Sequence, residues 1–255
     1  LVSNPAACKF DVAQLQCKGA KDDSCLAPEQ VDALKKMFTG AKNSAGQPLY
    51  FSWPWDAGIG HPKNDWRMWK LGNSPTAKAN SRHVFLMEDA LQGYFVTPPD
   101  RSLSIYKFDF DRDPQRMDAH AWIFNTAHDV KLAGYQARGG KLMFIHGMAD
   151  PIFSADEMVD YYQRLTSQNG PKTNEFARLF LVPGMGHCAG GAATDSIDGL
   201  GSLVDWVEKG QAPQSVPASG TAVYPGRTRP LCAYPQYAHY KGTGNPEDAS
   251  NFSCR

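Results

Sequence analysis

Two short stretches of this chain end in residues that together can do acid–base chemistry. The apolar run 141–146 (KLMFIH) leads into Gly147-Met148-Ala149-Asp150-Pro151, and the run 176–182 (FARLFLV) leads into Pro183-Gly184-Met185-Gly186-His187-Cys188. A carboxylate bonded to one imidazole nitrogen fixes the tautomer whose other nitrogen can take a proton from a nucleophile. Asp150 is therefore the candidate acid and His187 the candidate base. Either alone has a plainer use, Asp150 as a turn former and His187 as a loop residue between glycines. The pair carries weight because both stand just past what read as two consecutive strands, where open parallel sheets gather their reactive groups. Adjacent strands lie about 4.8 Å apart, so the two loops can meet.

The third member of such a set is missing. A nucleophile elbow needs G-x-S-x-G, a sharp strand-to-helix turn that exposes the Ser Oγ and frees backbone N–H groups for an oxyanion. The chain has no such pattern. Ser202, in LGSLV, falls inside an expected helix, and Ser154 serves as an N-cap. Asp before His is nonetheless the latter part of the Ser, Asp, His order of α/β-hydrolases. On its own the polypeptide is expected to be nearly inert. No G-x-G-x-x-G follows a strand, which removes a dinucleotide-binding reading.

The elements that must position these residues follow from pattern. The runs 141–146 and 176–182 are short, apolar and bounded by Gly or Pro, as buried strands are. Ser154 with Glu157 predicts a capping box opening a helix to about Leu165, with Met158, Val159, Tyr162 and Leu165 inward. A further helix carrying Ile197, Leu200, Leu203, Val204 and Val207 is expected to stop at Gly210. Strand and helix alternate here as in a parallel sheet. Residues 131–255 thus read as the C-terminal part of an α/β catalytic domain. Residues 1–130 show no such alternation. They hold a helix from Pro28 to about Phe38, aromatic loops (YFSWPWDAGIG, WRMWKLG) and a helix around 77–93, the texture of a mostly helical and loop-built lid. There is no internal repeat.

Composition narrows the class. Twenty-six basic residues balance twenty-six acidic ones, which argues against nucleic acid or an anionic membrane as partner. No run approaches the roughly 18–20 apolar residues of a membrane span. The sequence opens at Leu1 without a Met, which predicts a processed product or missing residues. Six cysteines without a C-x-x-C pair do not form a zinc pattern. Cys17 and Cys25 flank a short polar loop, and Cys232 and Cys254 flank a loop-like tail; both pairs read as local disulfide staples, which points to a secreted or periplasmic protein.

The segments GGKLMFIHGMADPIFS, FARLFLVPGMGHCAGG, VDWVEKGQAPQSV and TRPLCAYPQYAHYKGTG strongly resemble the tannase and feruloyl esterase family, including its terephthalate-monoester hydrolases. The resemblance runs along essentially the whole chain. It implies an α/β-hydrolase fold and hydrolysis of esters of small aromatic acids by a Ser-His-Asp acyl-enzyme route, the Ser lying in an N-terminal segment. It implies that Cys188 pairs with a Cys beside that Ser, and Cys8 with a Cys upstream of Leu1, so that the N-terminal segment or chain is a partner. The alternatives are that Cys8 and Cys188 pair together or stay free. It also implies a structural Ca²⁺ in the lid, held mostly upstream, with Leu1 the one ligand here. The run Asp109-Phe110-Asp111-Arg112-Asp113 lacks the Gly and Glu of an EF-hand loop and reads as a strand or turn with its carboxylates in water. Phe153, three residues after Asp150, is expected to lean over the site; the resemblance implies Trp69 and Phe95 around an aromatic ring and Arg82 as a carboxylate clamp, a task suited to a planar guanidinium. Leu86, Met87 and Ala90 stand where that clamp's hydrophilic neighbours belong. His146 either shapes the pocket or satisfies a loop backbone group. A reading from another class is a catalytically inactive module that binds an aromatic ligand or a partner.

Overall fold

A computed structural model describes residues 4, 7–62, 64–125 and 129–255. The chain opens with α1 (Pro28–Thr39), α2 (Trp66–Lys70), α3 (Arg82–Ala90), α4 (Ala121–Phe124) and α5 (Ala133–Ala137), joined by long loops. Then come β1 (Leu142–Gly147), α6 (Ala155–Asn169), α7 (Thr173–Phe176) and β2 (Ala177–Val182). The chain closes with β3 (Ser196–Ile197), α8 (Gly199–Lys209), β4 (Ser215–Ser219), β5 (Thr228–Cys232), β6 (Ala238–Tyr240) and β7 (Phe252–Cys254).

β1 and β2 pair in parallel, from Leu142 opposite Ala177 to Gly147 opposite Val182. The crossover between them contains α6, as a parallel pair requires. Both faces of β2 are covered. Ala177 and Leu179 pack on α6 through Tyr162 and Leu165. Phe180 and Val182 point the other way, onto Val216, Ala218 and Leu231 of β4 and β5. A strand buried on both faces shows no polar alternation, which is why FARLFLV reads as one apolar run.

Several expectations need correcting. The helix expected around 77–93 starts only at Arg82, capped by the Ser81 hydroxyl, and runs on as a π-helical turn, Leu91–Phe95. The capping box at Ser154 is not closed by Glu157. Tyr50 enters it instead: its hydroxyl accepts the Ser154 N–H (3.1 Å) and donates to Glu157 Oε2 (2.5 Å). The helix assigned to Ile197 begins two residues later, with Asp198 as its cap; Ile197 packs on the core from β3, while Leu200 is 76% exposed and Val207 60%. Trp206 is the buried side chain of α8. Beside the parallel pair, β3, β4 and β5 form a separate antiparallel sheet not expected from the sequence, linked to β2 by a bridge between Phe180 and Ala233. Pro217 and Pro230 hid those strands; the two share one register position, which confines their missing N–H groups to one rung.

Cys17–Cys25 and Cys232–Cys254 are disulfide-bonded, while Cys8 and Cys188 are exposed and unpaired among the described residues. Among the described residues no helix is long and apolar enough to cross a membrane.

Candidate active site

The strand ends bring Asp150 and His187 together. Past β1 the ladder continues as two bonds between the loops, Met148 N–H to Val182 O and Ala149 N–H to Met185 O, each 3.0 Å. Gly147 makes this approach possible. A Cβ there would lie 2.4 Å from the carbonyl oxygens of both Met185 and Gly186.

Asp150 is 3% exposed. Its Oδ1 accepts the backbone N–H groups of Ile152 (2.7 Å) and Phe153 (3.1 Å). Its Oδ2 faces His187 Nδ1 at 3.0 Å. A carboxylate only accepts, so Nδ1 carries the proton and Nε2 of the neutral ring keeps its lone pair. The His187 side chain is 38% exposed, which leaves that nitrogen accessible. Cys188, next in the chain, holds a φ of 63°.

Phe153 stands over His187 with ring centroids 5.6 Å apart, and is 53% exposed. His146 Nε2 donates to the Phe153 carbonyl at 3.2 Å and lies 4.0 Å from Asp150 Oδ2. It thus satisfies loop backbone. Trp69 and Arg82 neighbour each other, the guanidinium 5.6 Å from the indole centroid. Arg82 is ion-paired to Asp65 at 2.7 Å. Phe95 meets Phe124 edge-on at 5.5 Å. None of these three shares a hydrogen bond, ion pair or ring contact with Asp150 or His187 among the described residues. Ser154 and Ser202 are both engaged as helix-start residues, Ser154 on the Ser52 carbonyl and Ser202 on the Asp198 carbonyl.

Sequence reasoning missed a second tier, from the stretch that reads only as an aromatic loop. Trp53 Nε1 donates to the Asp150 carbonyl at 3.2 Å. Lys70 Nζ lies 3.6 Å from the Trp53 ring centroid. Burial pushes the Lys70 ammonium down to about 8 and, with Lys70 as second cause, His83 down to about 4. Nothing in YFSWPWD separates such residues from ordinary packing aromatics.

Leu1, the expected calcium ligand, lies outside the described residues. Among those described, no cluster of three His, Cys, Asp or Glu residues could hold a metal. The Asp109–Asp113 run does not fit one either: Asp109, Asp111 and Asp113 accept the N–H groups of Asp111, Ser44 and Asp109.

Comparison with known proteins then settles the kinship. The model of the family described as "Tannase and feruloyl esterase" matches residues 1–255. The chain belongs to the tannase and feruloyl esterase family. A mono(2-hydroxyethyl) terephthalate hydrolase from Piscinibacter sakaiensis is 44% identical over all of this chain and 48% of its own length. A probable feruloyl esterase B from Aspergillus clavatus is 30% identical, over all of this chain and 50% of its own. Feruloyl esterase B of Aspergillus oryzae superposes with a TM-score of 0.80 at 22% identity, covering 100% of this chain and 52% of that one. The fold of this tannase-family chain is therefore that of an α/β-hydrolase, and the chain spans about half the length of the curated relatives it matches.

Proposed function

We propose that this chain supplies the acid and the base, Asp150 and His187, of a serine esterase that cleaves esters of small aromatic acids: feruloyl, galloyl or terephthalate-monoester. The observation that carries the reading is the 3.0 Å contact between His187 Nδ1 and Asp150 Oδ2 at the ends of two paired parallel strands. Family membership and the names of the relatives support the substrate class.

The nucleophilic Ser comes from an N-terminal segment outside this chain. Its Oγ adds to the ester carbonyl as its proton passes to His187 Nε2. Asp150 stabilises the imidazolium, which returns the proton to the departing alcohol. Water, deprotonated by His187, then releases the aromatic acid and restores the Ser. The same segment adds its strands to the open edge of β1, beside the apolar stripe of α8, and bonds through Cys188 and Cys8. Residues 1–130 form the lid, with Trp69, Phe95 and Phe153 around the aromatic ring and Arg82 exchanging Asp65 for a substrate carboxylate. His146 holds the Phe153 backbone. The protein is secreted or periplasmic, in keeping with its disulfides.

The test uses the complete coding sequence and the substrates methyl ferulate, methyl gallate and a terephthalate monoester. Turnover that disappears with His187→Ala is the expected result. Turnover that survives it refutes the assignment, and ligand binding without any turnover supports the inactive-module reading. Intact mass before and after reduction checks the link through Cys188.

A further inference from the structure

The loop that carries His187 is held from the side by a buried carboxylate. Asp56 is 5% exposed and has no ion-pair partner among the described residues. Its contacts are to backbone amides. Oδ1 accepts the Gly58 N–H at 2.6 Å and the Gly184 N–H at 3.1 Å; Oδ2 lies 3.2 Å from the same Gly184 nitrogen. Gly184 opens the turn that delivers His187 three residues later. Between them Met185 is buried and bonded back to Val182. Displacement at Gly184 therefore passes to the imidazole along a short, packed segment.

The contact is also tight. A Cβ on Gly58 would lie 2.4 Å from the Gly184 Cα, so backbone meets backbone with no side chain between. The same stretch bonds the opposite loop: Trp53 Nε1 donates to the Asp150 carbonyl (3.2 Å), and Asn64 Nδ2 to the Ala149 carbonyl (3.3 Å). One segment, 53–64, thus spans the loops of both the acid and the base.

A carboxylate this buried, with no ion pair among the described residues, is expensive, and burial drives the Asp56 pKa up accordingly. Three backbone contacts to an anion are stronger than the same contacts to a neutral acceptor, and they recover part of that cost as rigidity exactly where rigidity serves the dyad. We infer that Asp56 is a positioning residue for His187, fixing the Gly184 turn so that Nδ1 stays on Asp150. The inference rests on the proposed role of the dyad, and it concerns a group that touches neither substrate nor the reacting atoms.

The experiment again uses the complete coding sequence, with turnover of methyl ferulate and the low-field proton resonance of His187 Nδ1–H as readouts. Asp56→Ala removes both amide acceptors. It should lower kcat by roughly 10- to 100-fold, the scale of a misplacement of about 1 Å, with KM within about twofold. The Nδ1–H resonance should weaken or shift. Asp56→Asn keeps Oδ1, which already accepts from both glycines, and should fall between Ala and the parent on both readouts. Merely structural packing would instead lower the melting temperature and leave kcat and the resonance alone. An Asp56→Ala enzyme with parental kcat and resonance overturns the inference. If the Ala variant does not fold, Asp56→Asn decides: full kcat and an unchanged resonance overturn it equally. His187→Ala and Asp150→Asn run alongside. If these keep activity, the dyad reading has failed; if they lose it while both Asp56 variants do not, only the positioning role has.

Discussion

Asp150→Asn separates the chemistry of the dyad from its architecture. The carboxylate has one oxygen on two backbone amides, Ile152 (2.7 Å) and Phe153 (3.1 Å), and the other on His187 (3.0 Å). Two N–H donors fix which end of an asparagine goes where: its oxygen must keep the amides, and its NH₂ must face Nδ1. A donor then meets a donor, and the ring accepts that NH₂ only by moving its proton to Nε2, where no base remains. A wrong tautomer of this kind costs about 10⁴ in kcat, which is about 5.4 kcal/mol of barrier. Stability should scarcely change, within about 1 kcal/mol, because both backbone bonds survive. Asp150→Ala provides the contrast. It takes the acceptor from two part-buried N–H groups, at about 1 kcal/mol or more each, and should unfold about 2–4 kcal/mol more easily. Initial rates on methyl ferulate and urea melts of the complete protein give both quantities. An Asp150→Asn enzyme that keeps more than about a tenth of parental kcat refutes the tautomer argument.

Three further outcomes follow from the same geometry. Tyr50→Phe removes the hydroxyl between Ser154 N–H and Glu157, and should cost about 1–3 kcal/mol in a urea melt; no loss would show the bridge to be idle. Lys70 titrates at about 8 when folded against an ordinary 10.5, so between those values the unfolded chain holds more protons and stability rises with pH. Lys70→Met should flatten that rise, and the opposing raised Tyr50 enters only above its ordinary 10.0. At the acid end His83, about 4 when folded against 6.5, makes stability fall as pH drops through that window. Removing Cys232–Cys254, with a sequence separation of 22, should cost about 3.4 kcal/mol, against about 2.6 for Cys17–Cys25 with a separation of 8; paired double-Ala melts that reverse this order contradict the loop-entropy account.

What the sequence disclosed and what it hid divide along a physical line. β1, β2 and α6 were legible because their burial is local in pattern: an apolar run bounded by Gly or Pro, or an apolar face at helical spacing behind a Ser. The meeting of Asp150 and His187 followed, because strand ends place whatever comes next. α8 and its stop at Gly210 were legible from the same spacing, though the helix begins at Gly199, past Ile197. β4 and β5 were invisible because each carries a proline. The inner tier was beyond reach for another reason. Tyr50, Trp53, Asp56 and Asn64 act through contacts spanning 85 to 128 residues of sequence, and no local spacing encodes such a partner.

The two halves of the dyad are held unequally, and the difference suits their tasks. Asp150 is fixed on every side: two amides on one oxygen, His187 on the other, Trp53 on its carbonyl, and almost no exposure. A group that must only orient and stabilise gains from having one conformation, since reorganisation during reaction would cost barrier. Among the described residues His187 has one hydrogen bond to its ring, and it is far more exposed. In the proposed reaction it exchanges protons with a hydroxyl, a leaving alcohol and a water in turn, and each transfer needs small changes of ring position. Its precision has therefore to be built into the backbone beneath it rather than around the ring. The Gly147 contact with Met185 and Gly186, the two inter-loop bonds and the Asp56 hold on Gly184 are all backbone restraints of that kind. They fix where the imidazole is anchored without enclosing the ring itself, which is the arrangement the proposed proton exchanges require.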